Sequence, residues 1–373
     1  MIYLDYQATT PMAPEAKAAM MPWLDGGANP HSSHRIGRKA AAAVAIAEEQ
    51  IAALLPNAEA GHLIFTSGAT ESLNWAIKGL WLSDRNKRRK VVTLATEHAA
   101  TLDSVRYLEK LGAEVIFLPV HKNGLVDMER AAAEIDTDTA LVTAMLVNNE
   151  IGVIQPITEL AALAHNVGAY FLLDAVQGYG RVAMPETCDM IALSAHKIHG
   201  PIGVGALWFK KDIALQPLFH GGHQQGGLRS GTLSPALCAG FGAAAFLARQ
   251  KQAEDFAYIS ELFAVAKAEM PDWIINGSED IRWPGNFNIH QEGIDSSRLI
   301  SDTRQVAFSA GSACSSGNGR PSHVLKALDL SQKAVRGSIR IGFGRYTTIE
   351  DLVTGLGYIR EAAEKQRKSP FFS

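Results

Sequence analysis

Cysteine is scarce: only three of the 373 residues, Cys188, Cys238 and Cys314, which are odd in number and far apart. That pattern excludes a disulfide framework and a cysteine-based metal cluster, and it points to a reducing, cytoplasmic setting. Long apolar runs are missing too. No stretch reaches the roughly 18 to 20 residues of a membrane span, and the Ala-rich segment 40–47 is bounded by charge and reads as helix. The start, Met1-Ile2-Tyr3-Leu4-Asp5, has neither a basic leader nor a signal-length apolar core. Basic excess is absent as well, with a net charge of -3. The one basic run, Arg85 to Lys90, is expected as a solvated turn, so no nucleic-acid partner is expected. The Gly-Lys-Ser/Thr of a nucleotide P-loop does not occur after any apolar run.

What is present is ordinary for a soluble globular enzyme: 47% hydrophobic and 20% charged residues, in a length that suits two domains. Apolar runs and helical segments alternate along the first two thirds. Strands are expected at 63–66, 91–95, 114–118, 140–147, 169–173, 189–193 and 203–209. This is an α/β pattern with a mainly parallel seven-stranded sheet, whose ligands bind beyond the carboxyl ends of the strands. A helix over 235–248, rich in Ala and Gly, leads to a second helix over 253–270 and to shorter strands at 273–275, 285–289 and 306–308. The division expected is a large domain over 15–242 and a small α+β domain formed by 1–14 with 243–373.

The strand ends carry the chemistry. Asp189 to Leu193 runs into Ser194-Ala195-His196-Lys197, and a Gly-Pro breaker follows before the next run. Lys197 thus sits in a tight gap between strands; a lysine drawn out of water loses proton affinity and can form a Schiff base with a carbonyl. Upstream, Ala169 to Leu173 ends in Asp174-Ala175-Val176-Gln177. A lysine on one strand end and an aspartate on another is what pyridoxal phosphate requires: one holds the aldehyde, the other keeps the ring nitrogen protonated. Ser67-Gly68-Ala69-Thr70-Glu71-Ser72 opens a helix with small residues that suit a monophosphate, although from this stretch alone a plain helix capped by Ser67 or Thr70 is the better reading. His98 could stack on a flat ring and relay protons. Asn148-Asn149-Glu150 ends another strand, and a glycine-rich loop, 221–232, leads into the helix at 235. In the C-terminal part, Cys314 lies in a Gly/Ser-rich loop, where exposure suits a nucleophile. Arg340, within Ile339-Arg340-Ile341, suits a bidentate clamp on a carboxylate. His31 and His34 lack further ligands nearby, so no metal is expected.

Taken together, these segments resemble the cysteine desulfurases of the class V aminotransferase family, nearly end to end from Leu4-Asp5 to Thr347-Thr348. The resemblance rests on Thr66 to Ser72, Thr96-Glu97-His98, Val147 to Gly152, Asp174 to Gln177, Ser194 to Lys197, Arg229 to Thr232 and Gly311 to Cys314. It implies the type I fold of pyridoxal-phosphate enzymes, a homodimer, and a long mobile cysteine loop of the group serving iron–sulfur and nitrogenase cofactor assembly. It also implies roles. Lys197 carries the cofactor and moves protons, Asp174 pairs with the ring nitrogen, His98 stacks on the ring and Gln177 hydrogen-bonds the phenolic oxygen. Ala69, Thr70, Ser194 and His196 hold the phosphate, and Thr232 arrives from the other subunit. Asn149 and Arg340 bind the carboxylate of L-cysteine. Cys314 attacks the substrate sulfur, leaving a persulfide for an acceptor protein and releasing alanine. The pattern departs at Ala28, where glycine is usual, and at Gln225, where an acidic residue is usual. The tail, Lys368 to Ser373, is shorter than in members that dock a scaffold protein there.

Two other readings stand beside this one. The first is a pyridoxal-phosphate aminotransferase or lyase on another amino acid, against which Cys314 counts because transamination needs no thiol. The second is a non-catalytic sulfur-assembly partner, against which a complete set of Lys197, Asp174 and His98 counts.

Overall fold

Apolar runs that continue without polar alternation need cover on both faces, and the central sheet provides it. The computed structural model describes residues 1–83, 87–310 and 322–368. A short strand β1 (Ile2–Tyr3) precedes α1 (Pro14–Met20) and α2 (Arg35–Ala52). Then follow β2 (Gly61–Thr66), α3 (Ala69–Trp81), β3 (Lys90–Leu94), α4 (Ala99–Glu109), β4 (Glu114–Leu118), α5 (Met128–Glu134), β5 (Thr139–Met145), α6 (Ile157–Asn166), β6 (Tyr170–Asp174), β7 (Met190–Ser194) and β8 (Gly205–Lys210). The seven strands from β2 to β8 form one sheet in the order β2-β8-β7-β6-β5-β3-β4, in which only β8 runs against its neighbours. Within β6 and β7, successive side chains fall to opposite sides: Phe171, Leu173, Ile191 and Leu193 join one core, Leu172, Met190 and Ala192 the other. The second core is closed by Leu73 and Trp75 of α3 and by Val105 and Leu108 of α4. All of these strand positions matched the sequence expectation to within a few residues.

Beyond the sheet come α7 (Pro235–Glu269), β9 (Ile274–Ile275), β10 (Asn286–His290), α8 (Ser296–Asp302), β11 (Val306–Ala307), α9 (His323–Ala327), α10 (Gln332–Arg336), β12 (Ser338–Gly342) and α11 (Ile349–Arg367). The two helices expected at 235–248 and 253–270 are one helix of 35 residues. The intervening Arg249-Gln250-Lys251-Gln252 is polar but made of good helix formers, with no glycine or proline to stop the chain. The basic run also departs from expectation: Lys90 is buried at the start of β3 and pairs with Asp136 at 2.5 Å. His34 caps α2, its Nδ1 accepting the Gly37 N–H at 3.2 Å.

The N-terminal arm is stitched across the molecule. β1 pairs in parallel with β11, and Leu4 and Tyr6 exchange backbone hydrogen bonds with Gly342 of β12. Further on, Thr10 accepts the His199 N–H with its hydroxyl oxygen at 2.8 Å and donates to the His196 carbonyl. The His199 ring donates from Nδ1 to the Pro11 carbonyl at 2.8 Å and stands edge-on to Tyr6 and Tyr346. Burial pulls the pKa of His199 from the ordinary 6.5 to about 3 and that of His196 to about 4. Both rings therefore stay neutral in the folded protein while they would take up protons in the unfolded chain. Their contribution to stability is present above pH 6.5 and is lost as pH falls toward 4. The melting temperature should drop steeply across that window, and His199→Asn, which keeps an N–H for Pro11 and tolerates the backbone φ of 68°, should flatten the drop. An unchanged slope in that variant would remove His199 from the account.

Candidate active site

The carboxyl ends of the parallel strands meet along one edge, where a cleft of about 670 Å³ opens. Ala69 and Thr70 reach it after β2, His98 after β3 and Asn149 after β5. Asp174 and Gln177 line it at the end of β6, Ser194, His196 and Lys197 at the end of β7, and Arg340 enters from β12. The expected residues of the first two thirds of the chain thus converge, and a residue of the C-terminal part joins them. Thr232 does not: it is exposed and does not line the cleft. Cys314 lies outside the described residues.

At one end of the cleft, α3 begins without a side-chain cap, because its N-cap residue is Gly68. Its first-turn N–H groups are therefore left for an anion. Glu71 does not fill that role, since it is held elsewhere, accepting the Ser67 N–H at 2.7 Å and a two-point contact from Arg229 at 2.8 and 3.1 Å. Burial pushes the Glu71 pKa up, but these bonds outweigh it and hold the carboxyl below its usual range. Opposite, Lys197 closes a single 3-10 turn after β7, and its Nζ donates to the carbonyls of Gln7 and Ala8 at 2.5 and 2.7 Å. His98 caps α4, accepting the Ala100 N–H on Nδ1 at 3.1 Å, which fixes the ring beside the cleft.

Two carboxyl groups lie deeper. Asp174 is 5% exposed; burial raises its pKa, while the Val176 N–H, His98 and Lys197 pull it back. Glu97 is fully buried, accepts the Met145 N–H on Oε1 at 2.8 Å, and leaves Oε2 without a partner among the described residues. Burial and the neighbouring Asp174 hold the Glu97 carboxyl well above the usual carboxylate range, which favours its protonated form. Of the pair, Asp174 is the one able to carry a negative charge toward the cleft.

Arg340 is 1% exposed. It donates to the Asn149 carbonyl at 3.1 Å and pairs with Asp5 at 2.8 Å, and its buried Nε has no partner among the described residues. A buried N–H without a partner calls for an acceptor, and Arg340 lines the cleft into which a ligand could bring one. The residues present therefore fit pyridoxal phosphate and an amino-acid substrate: an uncapped helix start for a phosphate, a buried carboxyl for a ring nitrogen, an amine for an aldehyde, and a guanidinium for a carboxylate.

The glycine-rich loop docks on this arrangement through two contacts. Besides the Arg229–Glu71 pair, the Gln225 amide accepts the Phe65 N–H at 2.7 Å and donates to the Phe65 carbonyl at 2.9 Å. A carboxylate could only accept, so the glutamine at this position is accounted for by the need for a donor and an acceptor together. Farther along, Ser322 and His323 anchor the chain where description resumes: the Ser322 hydroxyl donates to Glu150 at 2.5 Å, and the His323 ring bonds the Glu97 carbonyl at 2.9 Å. The sequence reading missed Gln7 and Ala8, which act through backbone carbonyls and leave no side-chain signal. It also gave Glu97 no role, although the apolar Leu94-Ala95 just before it was the available hint of burial.

Comparison with known proteins agrees with this geometry. The family model described as Aminotransferase class-V matches residues 2–354. A cysteine desulfurase IscS of Ehrlichia chaffeensis is 40% identical over 98% of this chain and 92% of its own length; that of Rickettsia bellii is 40% identical over 94% and 88%. Among solved structures, a NifS-like protein from Rickettsia africae superposes with a TM-score of 0.87 at 28% identity, covering 98% of this chain and 99% of that one. SspA, solved in complex with cysteine, gives 0.83 at 32% identity over 93% and 100%. Among the described residues, no helix is long and apolar enough to cross a membrane. From the strand-end cleft and from relatives that match it along nearly its whole length, the chain belongs to the class V aminotransferase family and, within it, to the pyridoxal-phosphate-dependent cysteine desulfurases.

Proposed function

We propose that this cleft converts L-cysteine to L-alanine and passes the sulfur to Cys314, which becomes a persulfide and serves an acceptor protein. Atoms balance: L-cysteine and a thiol give L-alanine and a persulfide, the new S–S bond replacing the substrate's Cβ–S bond. The observation that carries the reading is the joint presence in one cleft of Lys197, Asp174 and Arg340. When bound, pyridoxal phosphate supplies an electron sink beside the substrate's α-carbon.

The protein's own groups do the rest. The first turn of α3, with Ala69, Thr70, Ser194 and His196, would hold the phosphate. Asp174 would keep the ring nitrogen protonated, and His98 would cover the ring face. Gln177 would donate to the phenolic oxygen, and Lys197 would anchor the cofactor and move the α-proton. Asn149 and Arg340 would orient the carboxylate. Iron–sulfur cluster assembly is the destination we favour for the sulfur, on the resemblance to that group. A homodimer is part of the proposal: exposed Thr232 would complete the phosphate site of its partner, and exposed Met12, Met21, Leu24 and Ile36 leave apolar surface to cover. So is the division into a large domain, 15–242, and a small one, 1–14 with 243–373, both joined through α7.

The direct test is to incubate the purified protein with L-cysteine and reductant and to assay sulfide and alanine together. Equal yields support the proposal. Pyruvate and ammonia in place of alanine would favour a lyase, and no turnover of a cofactor-loaded protein would favour a non-catalytic partner. Arg340→Lys sharpens the substrate assignment. A lysine keeps the charge but loses the planar fork, so KM for L-cysteine should rise about 10- to 100-fold, with kcat changed less. A KM equal to wild type would remove Arg340 from substrate binding.

A further inference from the structure

Behind the cleft, in the turn that follows β6, lies Arg181. Its Nη1 donates to the side-chain Oε1 of Gln177 at 2.5 Å and to the Gln177 carbonyl at 3.3 Å, and its Nη2 donates to the carbonyl of Lys197. The guanidinium sits 5.6 Å from the ring centroid of Trp283. These partners are all neutral. Enclosure among them pulls the Arg181 pKa down to about 10, so the cation is held at a cost that its bonds must offset.

We propose that Arg181 is a positioning residue for the cofactor, locking the Gln177 amide so that its N–H faces the cleft and pinning the Lys197 peptide from behind. The argument rests on the reading of the cleft given above and on the chemistry of the two groups. A guanidinium only donates. Gln177 must therefore turn Oε1 toward Arg181, which places Nε2 on the other side. There one hydrogen goes to the Gln7 carbonyl at 2.9 Å, and the second is free for an acceptor in the cleft that Gln177 lines. The same Gln7 carbonyl takes a hydrogen bond from Lys197 Nζ at 2.5 Å. Arg181 thus fixes both residues that would meet the cofactor on this side, one by its amide orientation and one by its backbone. Without the guanidinium, the Gln177 amide could flip, and its oxygen would then oppose a phenolic oxygen.

Three variants of the full chain loaded with pyridoxal phosphate test this. Arg181→Met should release the cofactor roughly 10- to 100-fold faster on gel filtration or dilution, and its visible absorption maximum should move. Arg181→Lys, with a single donor group, should recover part of both effects. Gln177→Glu gives the guanidinium a charged partner, which offsets the lost hydrogen bond to the Gln7 carbonyl, so the chain should stay folded. Yet it has no N–H to offer, and should show the moved absorption and the faster release. That variant keeps the test decisive if Arg181→Met does not fold. Wild-type spectrum and release rate in Gln177→Glu, or additive effects of Arg181→Met and Gln177→Ala where a shared role requires non-additive ones, would overturn the proposal. If the wild type itself takes up no pyridoxal phosphate, the functional reading falls and this inference falls with it.

Discussion

Replacing Lys197 with alanine is expected to abolish sulfide release from L-cysteine while leaving the chain folded. The side chain lies at the mouth of the sheet, where its Nζ donates to two carbonyls of the arm. Its loss leaves two acceptors that water entering the cleft can satisfy, a modest cost of about 1 kcal/mol. The chemical cost is far larger. The anchoring amine and the proton carrier disappear together, and rate losses of at least about 10⁴-fold are expected for a group with both tasks. Pyridoxal phosphate should still enter, because α3 and its phosphate-facing amides are untouched, but it should leave on dialysis. Borohydride treatment of the wild type should fix the cofactor on the peptide that carries Lys197. Label on any other lysine, or substantial turnover by Lys197→Ala, would show that this site is misassigned.

The second large effect concerns sulfur. Cys314→Ala should retain cofactor and substrate binding and lose essentially all sulfide release, on the order of 10³-fold or more, since no other thiol can take over. Cys188 and Cys238 are both buried. Burial pushes the Cys188 thiol far up and the Cys238 thiol to about 12, so neither forms a thiolate near neutral pH. Alanine at either of those positions should therefore leave most of the activity. Mass spectrometry after L-cysteine treatment without reductant should add one sulfur to the Cys314 peptide alone. Near-normal release of alanine and sulfide by Cys314→Ala would end the persulfide mechanism.

How much of this was legible in the sequence follows from where the information sits. β3, β5 and β7 are buried along their whole length and β6 beyond Tyr170, so each appears as a mainly apolar run whose polar end marks the cleft. That made Asp174, Lys197 and His98 visible as interruptions of a simple pattern. Arg181 left no such trace, because its task depends on a turn that carries its side chain back under Gln177 and the Lys197 peptide. Gln7 and Ala8 act through carbonyls that any residue would supply. α7 ran on where two helices were expected, since polarity in one stretch says only that it faces water, and the absence of a breaker was the better guide. Gln225, an apparent deviation, turned out to need both halves of its amide.

The stitching of the arm bears on how the protein is made. Residues 2–6 pair with β11 and β12, near residues 306 and 342, and Gln7 and Ala8 reach into the cleft from that position. Residues 2–6 therefore leave the ribosome well ahead of β11 and β12 and wait for those segments before they find their partners. During synthesis the central sheet can form ahead of them, but the lysine at its edge lacks the carbonyls that receive it, and β12 has not yet delivered its arginine. Contacts of such long sequence separation form slowly and late. Cofactor capture in its final geometry is thus confined to chains synthesised past β12, and a ribosome stalled before that strand leaves a product with a sheet but no finished cleft.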